Sequence, residues 1–225
     1  MTTKKQIKTL FDQLASRHDD LIVRGRFVVV APLRHVLRAI SIDRTSDADF
    51  PCFFWHVGHS SIPFGGLGGI SAEWFPLPNE GPRRWSDPDF TDTVIDIIER
   101  RLLSMLRRVQ TIDDIFHVEG EPRSYAYDGW LNHHEPYRIQ LLAALGRFDE
   151  AIPIYDKIKD WHLTMKNGWR SEFERASRLG ALVAANDRSA VAALLHQWEE
   201  EFATRNDLLP IYERTPFPFE LQQQP

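Results

Sequence analysis

The chain has 225 residues, 43% of them hydrophobic and 26% charged, a balance that allows a globular core without covalent cross-links. No window approaches the roughly 18 consecutive apolar residues of a membrane span, so no membrane partner is expected. The single cysteine, Cys52, excludes an intramolecular disulfide framework and agrees with a reducing, cytoplasmic compartment.

The net charge of −5 gives no general reason to bind nucleic acid. Its distribution is uneven. Residues 1–44 hold nine Lys or Arg against four acids, so this segment is +5 and the remainder −10. Either the basic third faces an acidic partner, or the protein's own acidic helices neutralise it.

In chain order, Ile7, Leu10, Phe11 and Leu14 recur at helical spacing within residues 4–17 and predict an amphipathic helix, not a signal peptide. From Leu21 the pattern turns to short β-rich runs at 21–23, 26–32, 35–44 and 50–57, punctuated by Gly25, Pro32 and the turn-forming TSDAD at 45–49. A last strand is predicted at about 68–75, where Ile70, Ala72 and Trp74 alternate with polar or outward residues. Residues 76–90, with four prolines and a glycine, read as a loop. A long helix follows from about Thr91, its apolar stripe formed by Val94, Ile97, Ile98, Leu102, Met105, Leu106 and Val109.

Residues 135–158 predict a helical hairpin: Ile139, Leu142 and Leu145 lie on one face, Gly146 stops the first helix, and Asp149 caps a second that carries Ala151, Ile152, Tyr155 and Ile158. A further helix is expected to open on the capping pair Ser171 and Glu174, turn at Asn186–Asp187, and be followed by one bearing Val191, Leu194, Leu195, Trp198 and Phe202, with Glu199, Glu200 and Glu201 exposed. The run Leu142, Leu145, Gly146, Arg147, Phe148, Asp149, Glu150, Ala151, Ile152 and Tyr155 resembles the helix turn of a tetratricopeptide-type repeat. The resemblance covers about residues 136–203, with a second hairpin offset by 39 residues, and implies a scaffold that binds a partner rather than a reaction. The tail after Leu209 has no periodicity and is expected to be extended.

The fold class is therefore α+β: an N-terminal helix and a mainly antiparallel sheet of four to five strands, then a helical half with two repeat-like hairpins. The division falls at residues 1–90 and 91–225, as two parts of one domain or as two domains.

Candidate chemistry is sparse. Cys52, His56 and His59, with His133 or His134, have zinc-ligand residue types, but on a strand Cys52 and His56 share a face and His59 falls on the other. The glycine-rich stretch 62–71 lacks the Gly-Lys-Ser/Thr and the following helix that a phosphate loop requires. No metal and no cofactor are read from the sequence, and no nucleophile elbow or acid pair marks a catalytic centre. The binding candidates are Arg24, Arg26, Arg34 and Arg38. On continuous strands Arg24 and Arg26 would share a face, as would Arg34 and Arg38 with Val36 between them, presenting guanidinium groups to carboxylates or phosphates. The expected function is a non-enzymatic interaction module (adaptor, inhibitor or immunity-type protein) that binds a protein partner. A small enzyme with its site between sheet and helices, or a nucleic-acid-associated protein using the basic segment, are the alternatives.

Overall fold

Helix α1, Lys4–Ala15, starts where Thr3 can satisfy two end groups at once: the Gln6 amide donates to Thr3 Oγ1 at 3.1 Å, and the Thr3 amide donates to Gln6 Oε1 at 2.9 Å. Ile7, Leu10, Phe11 and Leu14 are buried as their spacing requires. In this computed structural model, residues 2–61, 67, 72–77, 81–117, 134–164 and 170–222 are described. The glycine-rich stretch at 62–71 lies outside these residues apart from Leu67, as does His133.

A five-stranded antiparallel sheet follows in simple meander order: β1 Leu21–Arg24, β2 Phe27–Val30, β3 Val36–Arg44, β4 Pro51–His59 and β5 Ala72–Phe75. Gly25, at φ +61°, makes the two-residue turn between β1 and β2, a conformation that glycine adopts without a Cβ penalty. The β3–β4 ladder runs unbroken from Val36 opposite His59 to Arg44 opposite Pro51. That register lines up Val28, Ile40 and Trp55 across three strands, all buried. Helix α1 packs against β1 and β2.

The long helix is broken in type but not in path. It runs as α2, Phe90–Ile97, then a π-helical segment Ile98–Leu103, then α3, Ser104–Arg108. A π segment spends extra residues per turn, which rotates the apolar stripe; Leu103 joins Leu102 in the core, while Ile97 is only partly buried. Helix α3 reaches β3, and Arg107 clamps Asp20 at the start of β1 with bonds of 2.8 and 2.6 Å.

The helical half comprises α4 Glu135–Ala144, α5 Phe148–Ile158, α6 Trp161–Thr164, α7 Arg170–Ala184, α8 Arg188–Arg205 and α9 Pro218–Leu221. Gly146, at φ +77°, turns α4 into α5, and the Arg147 amide closes the turn on the Leu142 carbonyl at 2.8 Å. Asn186 does the same between α7 and α8 at φ +50°, with Asp187 bonding the Leu182 carbonyl at 3.0 Å and capping Ala190 with its side chain. Two sequence-based boundaries shift. Asp149 lies in the first turn of α5 instead of at its cap, and Ser171 lies inside α7.

Helices α4, α5 and α7 pack on one another, and α7 packs on α8. The tail is docked: the Leu33 amide donates to the Ile211 carbonyl and the Glu213 amide to the Leu33 carbonyl, both at 2.8 Å. One buried apolar cluster runs from α1 through the sheet to Phe217 and Phe219 in the tail. Among the described residues no helix is long and apolar enough to cross a membrane.

Candidate functional site

The four arginines do not form one face. Strand β3 begins at Val36, so the alternation does not extend back to Arg34, which is half exposed and bonds Glu213 at 3.0 Å. Arg38 points inward and is 4% exposed, with its guanidinium donating to the carbonyls of Pro32 at 2.7 Å and Val30 at 3.4 Å. Burial holds its pKa below the ordinary value. Arg24 ends β1 and donates to the Asp207 carbonyl at 2.8 Å, while Arg26 sits in the β1–β2 turn and pairs with Asp43. Turns at Gly25 and at 32–35 separate residues that continuous strands would have aligned. Arg17 and Arg34 reach acids in the later part of the chain, whereas Lys8 and Arg26 pair with acids of the basic segment itself.

The zinc-type trio of β4 is likewise split. His56 shares a 2.8 Å bond with Ser41, Cys52 is a half-buried free thiol whose pKa burial raises, and His59 belongs to a different cluster.

That cluster is the main polar feature of the interior. It gathers at the start of β3, the end of β4, the middle of α8 and the tail. At its centre is Glu199, expected to be exposed but 0% accessible. Its Oε1 accepts a bond from His35 Nδ1 at 2.9 Å and lies 2.9 Å from Ser60 Oγ. Its Oε2 lies 3.5 Å from His196 Nδ1 and 3.5 Å from the Tyr212 hydroxyl. Helix α8 has a wide buried side, on which Val191, Leu194, Leu195, Trp198 and Phe202 are joined by Ala192 and Ala203. Ser189, Ala193, Gln197, Glu200 and Thr204 form the exposed side, and Glu199 falls on the buried one, in line with Ala192, Leu195 and Phe202.

Burial alone would raise the Glu199 pKa, but the bonds from His196 and His35 and the nearby charges outweigh it and hold the carboxyl at about 2. His59 goes the other way: burial lowers it to about 3, against the pull of Glu199, so the ring is neutral at physiological pH. Its Nδ1 lies 2.6 Å from Ser61 Oγ and 3.2 Å from the Ser61 amide. The tail closes over these groups. Phe217, fully buried, stacks on His35 with ring centroids 4.2 Å apart and leans on His196 at 4.6 Å. Glu220 holds His196 Nε2 at 3.0 Å and the Phe217 amide at 2.7 Å.

His59, Ser60, Ser61 and Glu199 are all inaccessible. His35, Tyr212 and Glu220 at its edge are partly buried. Sequence reasoning missed His35 and Glu199, which are 164 residues apart; the legible signal was Glu199 falling in line with Ala192, Leu195 and Phe202 on the apolar side of its helix.

An open feature lies elsewhere, between α1 and the sheet. A groove of about 910 Å³ is lined by Ile7, Val23 and Ile42 with Lys4, Lys8, Asp12, Arg26 and Asp43 around them. Lys8 pairs with Asp12 and Arg26 with Asp43; Lys4 has no ion-pair partner among the described residues, leaving the rim net positive. Fold and sites together define an α+β protein with a sealed polar junction and a separate charged groove. Compared with models of known families, with curated proteins and with solved structures, the chain matches none.

Proposed function

We propose that the chain is a non-enzymatic protein-interaction module, of the adaptor, inhibitor or immunity kind. Its groove between α1 and the sheet would take a segment of a protein partner that carries an apolar side chain flanked by carboxylates. The observation that carries this reading is the pairing of an apolar floor, the partly accessible Val23 backed by buried Ile7 and Ile42, with a net positive rim. An apolar centre supplies affinity and a charged rim steers the encounter. Two further points support it. The helical hairpins at 135–158 and 170–205 suit a scaffold, as their resemblance to tetratricopeptide repeats implies, and His59, Ser60, Ser61 and Glu199 are buried.

A photo-crosslinking residue at position 4 tests the proposal in cells that make the protein, with position 163, where Leu163 is 66% exposed in the helical half, as control. A discrete protein adduct at position 4, absent at 163, is expected. With that partner purified, Lys4→Glu combined with Lys8→Glu should slow association at low salt. No adduct at position 4, or the same adducts at both positions, overturns the reading.

A further inference from the structure

One ligand atom each from His35, His59 and Glu199 lies within 4.8 Å of the other two. The fully buried His59 ring leaves Nε2 with no hydrogen-bond partner among the described residues. An unmet polar atom at such depth is costly, and native proteins seldom leave one without a role. We propose that His35, His59 and Glu199 bind a divalent transition-metal ion of the zinc class, joining β3 and β4 to α8 from the inside.

The donor set selects the ion. Two imidazole nitrogens and one carboxylate suit zinc and its first-row neighbours, whereas magnesium and calcium call for oxygen donors throughout. Zinc bonds of about 2.1 Å place tetrahedral ligands about 3.4 Å apart. His35 Nδ1 and Glu199 Oε1 already stand at 2.9 Å, so His59 is the side chain that must approach, by up to about 1.5 Å.

Each of the three ligands also has an outer partner of the right polarity. With Nε2 on the metal, the proton of His59 sits on Nδ1 and goes to Ser61 Oγ, 2.6 Å away, and the 3.2 Å amide contact at that nitrogen is given up. With Nδ1 of His35 on the metal, its Nε2 proton faces the Pro216 carbonyl at 3.3 Å, beside Thr215 Oγ1 at 3.1 Å. Ser60 Oγ, 2.9 Å from Glu199 Oε1, steadies the carboxylate. Such partners fix ring orientation and raise ligand basicity in metal sites. His196 stays outside the triplet, because Glu220 holds its Nε2. Phe217 covers His35, so the ion is taken up as the chain folds or when the tail lifts.

The test uses the full chain refolded from denaturant with a small excess of zinc sulfate or cobalt sulfate, then desalted. Elemental analysis should find about one ion per chain, and the cobalt form should absorb in the visible as a low-coordinate nitrogen and oxygen site. His18→Gln, at a ring bonded to Glu99, should retain the ion. Glu199→Gln and His59→Gln should lose it. Because both alter the core, His35→Gln, whose native side chain is 13% exposed, gives an independent arm and should also lose the ion while staying folded by circular dichroism. A wild-type chain that retains neither zinc nor cobalt overturns the proposal, and so does retention by folded His35→Gln or Glu199→Gln.

Discussion

Gly180 in α7 lies against the Tyr155 ring of α5. A Cβ at that position would stand 2.3 Å from Tyr155 Cδ2, 2.6 Å from Cγ and 2.9 Å from Cβ. Gly180→Ala therefore sets two effects against each other. Alanine inside a helix is worth about 1 kcal/mol over glycine, whereas overpacking a core costs about 1–3 kcal/mol. The clashing atoms are the root of the ring and not the end of a flexible chain, so relief requires the α5 backbone to move. Overpacking should win, with a net loss of about 1–2 kcal/mol and a Tm lower by about 2–8 °C for a chain of this size. Differential scanning calorimetry measures it, and Gly180→Ala combined with Tyr155→Ala should recover part of the loss. An unchanged or raised Tm for the single variant would refute the close packing of α5 on α7.

Leu142→Ala, at a buried position in α4, should cost about 2–5 kcal/mol in urea unfolding. Arg34→Ala should change stability by at most about 1 kcal/mol, since its pair with Glu213 is half exposed, whereas Arg38→Ala strips the donor from two carbonyls and empties packed space, costing about 1–3 kcal/mol; equal effects would refute the inward orientation of Arg38. The Asp20 carboxyl is held below its ordinary value of 3.8 chiefly by the bond from Arg107. A depressed folded pKa contributes stability that is present above the unfolded pKa and lost as pH falls through the folded one. Asp20→Asn should accordingly narrow the stability gap to wild type below about pH 4, seen in acid titrations of unfolding; a gap constant with pH would refute it.

The elements legible in the sequence were those with local causes. The stripe Ile7, Leu10, Phe11 and Leu14 needs only a helix to become buried, and the β-rich runs broken by Gly25 and TSDAD give the antiparallel order directly. Gly146 and Asn186 mark turns because few residues accept positive φ. The junction was not legible, for a different reason. His35, Glu199 and Phe217 are brought together by tertiary docking of α8 and the tail, and no spacing in the sequence encodes that. Arg34 and Arg38 show the same limit from the other side: their two-residue-period pattern is real only where a strand exists, and the strand begins between them at Val36.

Whether the tail seals the junction decides whether Glu199 and its histidines can be reached from solvent, and backbone hydrogen exchange under native conditions reads it residue by residue. The Leu33 and Glu213 amides, which join the tail to the sheet, and the Phe217 amide on Glu220 should exchange as slowly as the β3–β4 amides around Ile40 and Trp55, because all would open only with the whole fold. Exchange of Leu33, Glu213 and Phe217 at rates near those of a free peptide, with β3 and β4 still protected, would mean that the tail stands open and that Glu199 and its histidines meet solvent, contradicting the sealed junction.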